Sequence, residues 1–238
     1  MASESSRNSA YRQLPLAVHL RDEATLENFL PGPDAQPLLG VLRQQLEVDG
    51  EPVVYLHGAQ GSGKSHLLQA CCHLAGSSAL YLPLAELASC NPVDVLAGGQ
   101  EMQLLCLDDL DAVVGDEEWE RALFNVYNLA RESGCRLLLA ASAPPRRLAV
   151  DLADLRSRLA WGVVYHLPVA DDERRCEILE FRARRRGLEL PREVATYLVT
   201  RAPRAMDNLL TCLSTLDKAS LAHKRAISIP FVKQILDL

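Results

Sequence analysis

No stretch of this chain approaches the ~20 consecutive apolar residues that a membrane-crossing helix needs, so a helical span is not expected. The opening residues, MASESSRNSA, are polar and lack the apolar segment of a secretion signal. Basic residues are outnumbered: 25 Lys and Arg stand against 31 Asp and Glu, for a formal charge of −6. A protein that grips DNA by itself needs a basic face to neutralise phosphates, so direct DNA binding is disfavoured. Seven cysteines occur without metal-ligand spacing. An odd count with no pairing framework fits a reducing cytoplasm, and each cysteine reads first as a small buried hydrophobe. No internal repeat is visible.

What is present is an alternation. Short, nearly all-apolar runs at 52–56, 79–84, 102–107, 136–141 and 163–167 read as strands, and helical periodicity falls at 36–48, 65–74 and 117–131. Buried strands alternating with helices imply a parallel sheet covered on both faces. After Pro168 only helical periodicity remains, at 173–186, 191–200, 204–219 and 230–238. The expected organisation is a tail (1–20), an α/β nucleotide-binding domain (21–169) and a smaller all-helical lid (170–238). Four arginines in Arg182-Ala183-Arg184-Arg185-Arg186 read as a solvated helix face, since Glu173, Glu177 and Glu180 share the helix.

The segment His57-Gly58-Ala59-Gln60-Gly61-Ser62-Gly63-Lys64-Ser65-His66 carries the chemistry. Gly58, Gly63, Lys64 and Ser65 satisfy the phosphate-loop spacing, after a strand and before a helix. Glycines such as Gly58, Gly61 and Gly63 let backbone N–H groups approach a phosphate, and the helix start adds free donors. Lys64 supplies a full charge, Ser65 a hydroxyl for Mg²⁺, and Ser62 and His66 complete the loop. Asp108 and Asp109 end the apolar run Leu104–Leu107, where open α/β sheets place ligands. Asp108 is expected on the Mg²⁺ side, and Asp109 is a short candidate for orienting water. Ser142 ends the next strand and reads equally as a phosphate sensor or a strand cap. With both groups short, vigorous self-contained hydrolysis is not expected. Arg156 and Arg158 precede the last strand; each is either a surface charge or an arginine finger for a neighbour's nucleotide. Arg204 opens a lid helix from which it can fold back onto the outer phosphates.

These features resemble the DnaA clade of AAA+ ATPases, and within it the Hda (DnaA regulatory inactivator) family. Asn28-Phe29-Leu30-Pro31-Gly32, Gly61-Ser62-Gly63-Lys64-Ser65-His66-Leu67-Leu68, Leu155-Arg156-Ser157-Arg158-Leu159-Ala160-Trp161-Gly162 and Ile229-Pro230-Phe231-Val232-Lys233 carry the likeness. The resemblance implies an AAA+ parallel sheet with a helical lid, ADP or ATP with Mg²⁺, and a cytoplasmic role in restraining replication initiation. It implies two partners: the DnaA initiator and the β sliding clamp of DNA polymerase III. DNA is met only through the clamp, and a homodimer or larger homo-oligomer is compatible. By position, Gln13, Leu14 and Leu16 match a clamp-binding peptide, Arg158 the finger offered to ATP-loaded DnaA, and Arg204 the lid sensor. The peptide's alternative is a strand docked on the protein's own body. Ala17 and Val18 stand where larger residues anchor more strongly, which implies modest clamp affinity. Ser142 departs from the acidic sensor of the clade. The sequence ends at Leu238 without the helix-turn-helix domain of DnaA, so a partner of the initiator is expected rather than the initiator. The competing readings are a helicase-loading ATPase acting on single-stranded DNA and a P-loop enzyme acting on a small molecule.

Overall fold

The computed structural model describes residues 20–32 and 35–237. Gln13, Leu14 and Leu16 lie outside the described residues. The chain builds a five-stranded parallel sheet of order β2-β3-β4-β1-β5, from β1 (Val53–His57), β2 (Ala79–Pro83), β3 (Leu104–Asp108), β4 (Arg136–Ala141) and β5 (Val163–His166). The central strands are apolar on both sides because both sides are covered. Side chains alternate along a strand. Val53, Tyr55, Leu105, Leu107, Leu137 and Leu139 therefore face one core, while Val54, Leu56, Leu104, Cys106, Leu138 and Ala140 face another.

The second core is closed by α1 (Gln36–Gln44) and α2 (Lys64–Ala75), through Leu38, Leu42, Leu67 and Leu68. The first is closed by the short helices α3 (Leu84–Leu87) and α4 (Pro92–Leu96), and by α5 (Glu117–Ser133) and α6 (Ala153–Leu159). Burying each such leucine contributes about 2 kcal/mol. Helix α5 is capped by Asp116, whose carboxylate accepts from the amides of Glu118 and Trp119. Gly134, in the left-handed region, ends it.

One buried carboxylate fixes the corner at which α6 starts. Glu120 of α5 accepts from the amides of Gly115, Asp151 and Leu152 at 2.8, 3.0 and 2.6 Å. Burial alone would raise its pKa, but these three N–H bonds hold it below the usual carboxylate value. The loop before α6 is thereby tied to α5.

The sheet ends at His166 and a helical unit follows: α7 (Asp172–Arg185), α8 (Arg192–Arg201), α9 (Met206–His223) and α10 (Ile229–Leu236). They share a separate core around Leu179, Val194, Leu198, Leu209, Leu213 and Phe231. Among the described residues no helix is long and apolar enough to cross a membrane.

The segment from Leu20 to Gly32 straps this lid to the sheet. Arg21 donates to Gln69 of α2 and pairs with Asp207 of α9 at 3.0 Å. Arg182 of α7 and Arg186, just past its end, both grip Glu23 at 2.6 Å. The guanidinium of Arg174 donates to the carbonyls of Leu30 and Pro31 at 3.0 and 2.6 Å. Arg182 corrects the solvated-face expectation: it is only 4% exposed and its charge is committed to Glu23.

Candidate functional site

A cavity of about 920 Å³ opens between the C-terminal ends of β1, β3, β4 and β5, the strap and the lid. This is where a parallel sheet presents ligands. The loop from β1 to α2 forms its floor. Gly61 and Gly63 have φ of 80° and 98°, which a side chain would strain. A Cβ on Gly58 would lie 2.1 Å from the carbonyl oxygen of Leu167, and one on Gly63 would lie 2.9 Å from the Phe29 ring. The cradle accepts glycine alone at both positions.

The donors in this cradle suit a polyphosphate. Helix α2 has no side-chain cap at its N-terminus, so its first N–H groups are free for an anion. The Lys64 ammonium donates to the carbonyls of Gly58 and Ala59 at 2.7 and 3.2 Å, inside the loop it serves. The buried Ser62 Oγ has no hydrogen-bond partner among the described residues. Ser65 also lines the cavity. His66 lines it too, mostly buried, and Nε2 lies 2.9 Å from the carbonyl of Thr25. A carbonyl only accepts, so Nε2 carries the proton. Burial, the largest influence, lowers the His66 pKa to about 4, so the ring is neutral at neutral pH.

The acidic side of the site divides. Asp108 is 1% exposed and does not line the cavity; it accepts from the Tyr81 hydroxyl at 2.8 Å and the Asp109 amide at 3.0 Å. Asp109 does line it, with φ of 55° in the left-handed region that aspartate tolerates. Burial and then the Asp108 charge raise the Asp109 pKa, while Lys64 opposes them. Ser142 also lines the cavity, and its amide donates to Asp111 at 2.6 Å while its hydroxyl bonds the same carboxylate. Asp111 is a residue that sequence reasoning missed; it lies one 3-10 turn beyond the Asp pair. Among the described residues no cluster of three or more acidic, His or Cys side chains could hold a metal.

The structure separates the arginines. Arg204 does not line the cavity; it is exposed and pairs with Asp172 at 3.7 Å. The arginines that do line it are Arg21, Arg174 and Arg182; each has a partner far away in sequence, and Arg174 also pairs with Glu177 on its own helix. Their only sequence signal was the Asn28–Gly32 element that Arg174 grips. On α6, Arg156 turns back and donates to the carbonyl of Val150 through two nitrogens. Arg158 has no ion pair or hydrogen bond among the described residues. Its guanidinium lies 5.0 Å from the Trp161 ring centroid, outside the cavity lining.

Residues 172–236 match the family model "Hda, lid domain". An uncharacterized protein of Haemophilus influenzae is 42% identical over 231 residues, covering 95% of this chain and 99% of its own. Domain III of the replication initiation protein DnaA from Thermotoga maritima superposes with a TM-score of 0.72 at 21% identity, over 92% of this chain and 98% of that one. AMPPCP-bound DnaA from Aquifex aeolicus superposes with a TM-score of 0.68 at 25% identity, over 87% of this chain and 70% of that one.

Proposed function

The chain belongs to the Hda-like proteins of the DnaA clade of AAA+ proteins and is a DnaA-related replication regulator; from that premise we propose that it holds an adenine nucleotide for itself and lends Arg158 to the ATP bound by DnaA. The observation that carries this reading is the state of Arg158: a half-buried cation outside its own cavity, with no ion pair or hydrogen bond among the described residues, beside an exposed aromatic ring. An arginine given in trans offsets the charge that develops on the transferred phosphoryl group, worth ~10³–10⁵ in rate.

The chain's own cavity supports holding more than splitting. The loop N–H groups and Lys64 would grip the phosphates of ADP or ATP. The Ser65 hydroxyl would hold Mg²⁺, with Asp108 behind it, and the ion would neutralise phosphate charge. Asp109 is a short water-orienting group, and Asp111 engages both polar groups of Ser142. On this reading intrinsic turnover is weak, and the nucleotide held is ADP or ATP. Gln13, Leu14 and Leu16 bind the sliding clamp, which brings the protein to DNA that its −6 charge would not seek. The free thiols of all seven cysteines agree with work in the cytoplasm.

The test uses ATP-loaded DnaA with the DNA-loaded clamp. Arg158→Ala should abolish stimulated hydrolysis and leave ADP binding to this chain unchanged. Undiminished stimulation would refute the assignment. Gln13→Ala should lower retention on immobilised clamp without lowering the melting temperature.

A further inference from the structure

Among the described residues Trp161 is the large aromatic left exposed. It is 62% exposed, whereas the other tryptophan, Trp119, is packed in the sheet core. An exposed indole in the tight turn between α6 and β5 gains little from burial, yet two guanidiniums gather on it. Arg131, from the last turn of α5, stands 4.4 Å from the ring centroid, and Arg158, from α6, stands 5.0 Å away. Among the described residues neither arginine has an ion pair or hydrogen bond, in a chain with six more acidic than basic residues. The Tyr127 hydroxyl, buried one turn before Arg131, is likewise unpartnered.

The corner is built to stay in place. Glu120 ties the start of α6 to α5. Leu155 and Leu159 bury the inner face of α6. Gly162 lets the chain pass close to β1, since a Cβ there would lie 2.5 Å from the Val53 carbonyl oxygen. The indole is therefore a fixed platform. An arginine free in solvent would have to be ordered on entering a partner's site, which weakens its effect. One that already lies on a ring face keeps its donors for an anion and has fewer conformations to lose.

We propose that Trp161 is a positioning residue that holds the Arg158 guanidinium over its ring, unpaired and oriented for a phosphate anion on another protein, with Arg131 steadying the indole. This rests on the assignment of Arg158 as the donated finger. The ring does not touch the reacting phosphate; it acts through Arg158.

The experiment measures stimulated hydrolysis by ATP-loaded DnaA across a concentration series of full-length variants. Melting temperature and an ADP titration check each fold. Trp161→Ala should lower the plateau rate about three- to tenfold, with less than a twofold change in the half-maximal concentration. Trp161→Phe, which keeps a ring face, should recover most of the rate, and Trp161→Leu, which keeps apolar area alone, should not. A wild-type plateau for Trp161→Ala, or equal rescue by Leu and Phe, overturns the proposal. A raised half-maximal concentration with an unchanged plateau also overturns it, because the indole would then be a docking contact. Arg158→Ala in the same assay separates the two failures. If it abolishes stimulation while Trp161→Ala does not, only the positioning role falls. If Arg158→Ala is silent, the finger assignment and the positioning role fall together.

Discussion

The arginines of the cavity and those of the α6 corner belong to one residue type put to opposite uses. Arg21, Arg174 and Arg182 line the cavity, yet each is committed to the chain itself: to Asp207, to the carbonyls of Leu30 and Pro31, and to Glu23. They hold the strap and lid around the site. Arg131 and Arg158 rest on an indole and hold nothing. Position near a phosphate site thus says little about which cation will serve a phosphate. What distinguishes a structural arginine from an available one is whether its hydrogen-bonding capacity is already filled.

Stability measurements sharpen this contrast most. Arg182→Ala should cost about 3 kcal/mol in urea unfolding, because it removes a buried cation, takes one of two guanidiniums from Glu23 and leaves the Asn28 carbonyl without its donor. Arg158→Ala should stay within about 1 kcal/mol of wild type. Equal losses would erase the distinction. Glu120→Ala should cost about 2 kcal/mol, since three amides lose their acceptor. It should also depress stimulated hydrolysis by loosening the corner that carries Arg158, whereas Arg182→Ala should act mainly on nucleotide binding. Lys64→Ala should weaken ADP binding at least tenfold by titration, about 1.4 kcal/mol, with little change in folding.

A further prediction is a pH slope. The His66 pKa is depressed to about 4 by burial, below its ordinary 6.5. The unfolded chain therefore takes up this proton first as pH falls. Stability contributed by the neutral ring is complete above 6.5 and is lost from there toward 4, at no more than about 1.4 kcal/mol per pH unit. His66→Gln should flatten that slope in urea midpoints recorded between pH 7 and 5. An unaltered slope would mean that another group titrates there.

The contrast also marks the limit of what sequence reveals. The sheet, the loop and the helical lid were legible because each is encoded within a few neighbouring residues. An apolar run of five names a covered strand, and Gly58–Ser65 names its own turn. Strand β3 shows the margin of error: it spans Leu104–Asp108, and Met102 and Gln103 stay outside. The short helices α3 and α4 carry too few residues for periodicity and went unread. Arg182 was misjudged because its local company is charged, while its partner Glu23 sits 159 residues away. Arg204 was expected at the phosphates from its place at a helix start. The distance across the lid that leaves it on Asp172 is a tertiary property. Trp161 lay inside a recognised motif, but only three dimensions bring Arg131 to it.

The strap has a last consequence, one of reach. Leu20 begins the stretch that Arg21, Glu23 and Asn28 lash to both halves of the molecule. Four peptide units separate it from Leu16, no more than about 14 Å of taut chain. A body that grasps Leu16 is held within that reach of the contacts joining strap, lid and sheet. A pull on that short cable lands first on the knot joining lid to sheet.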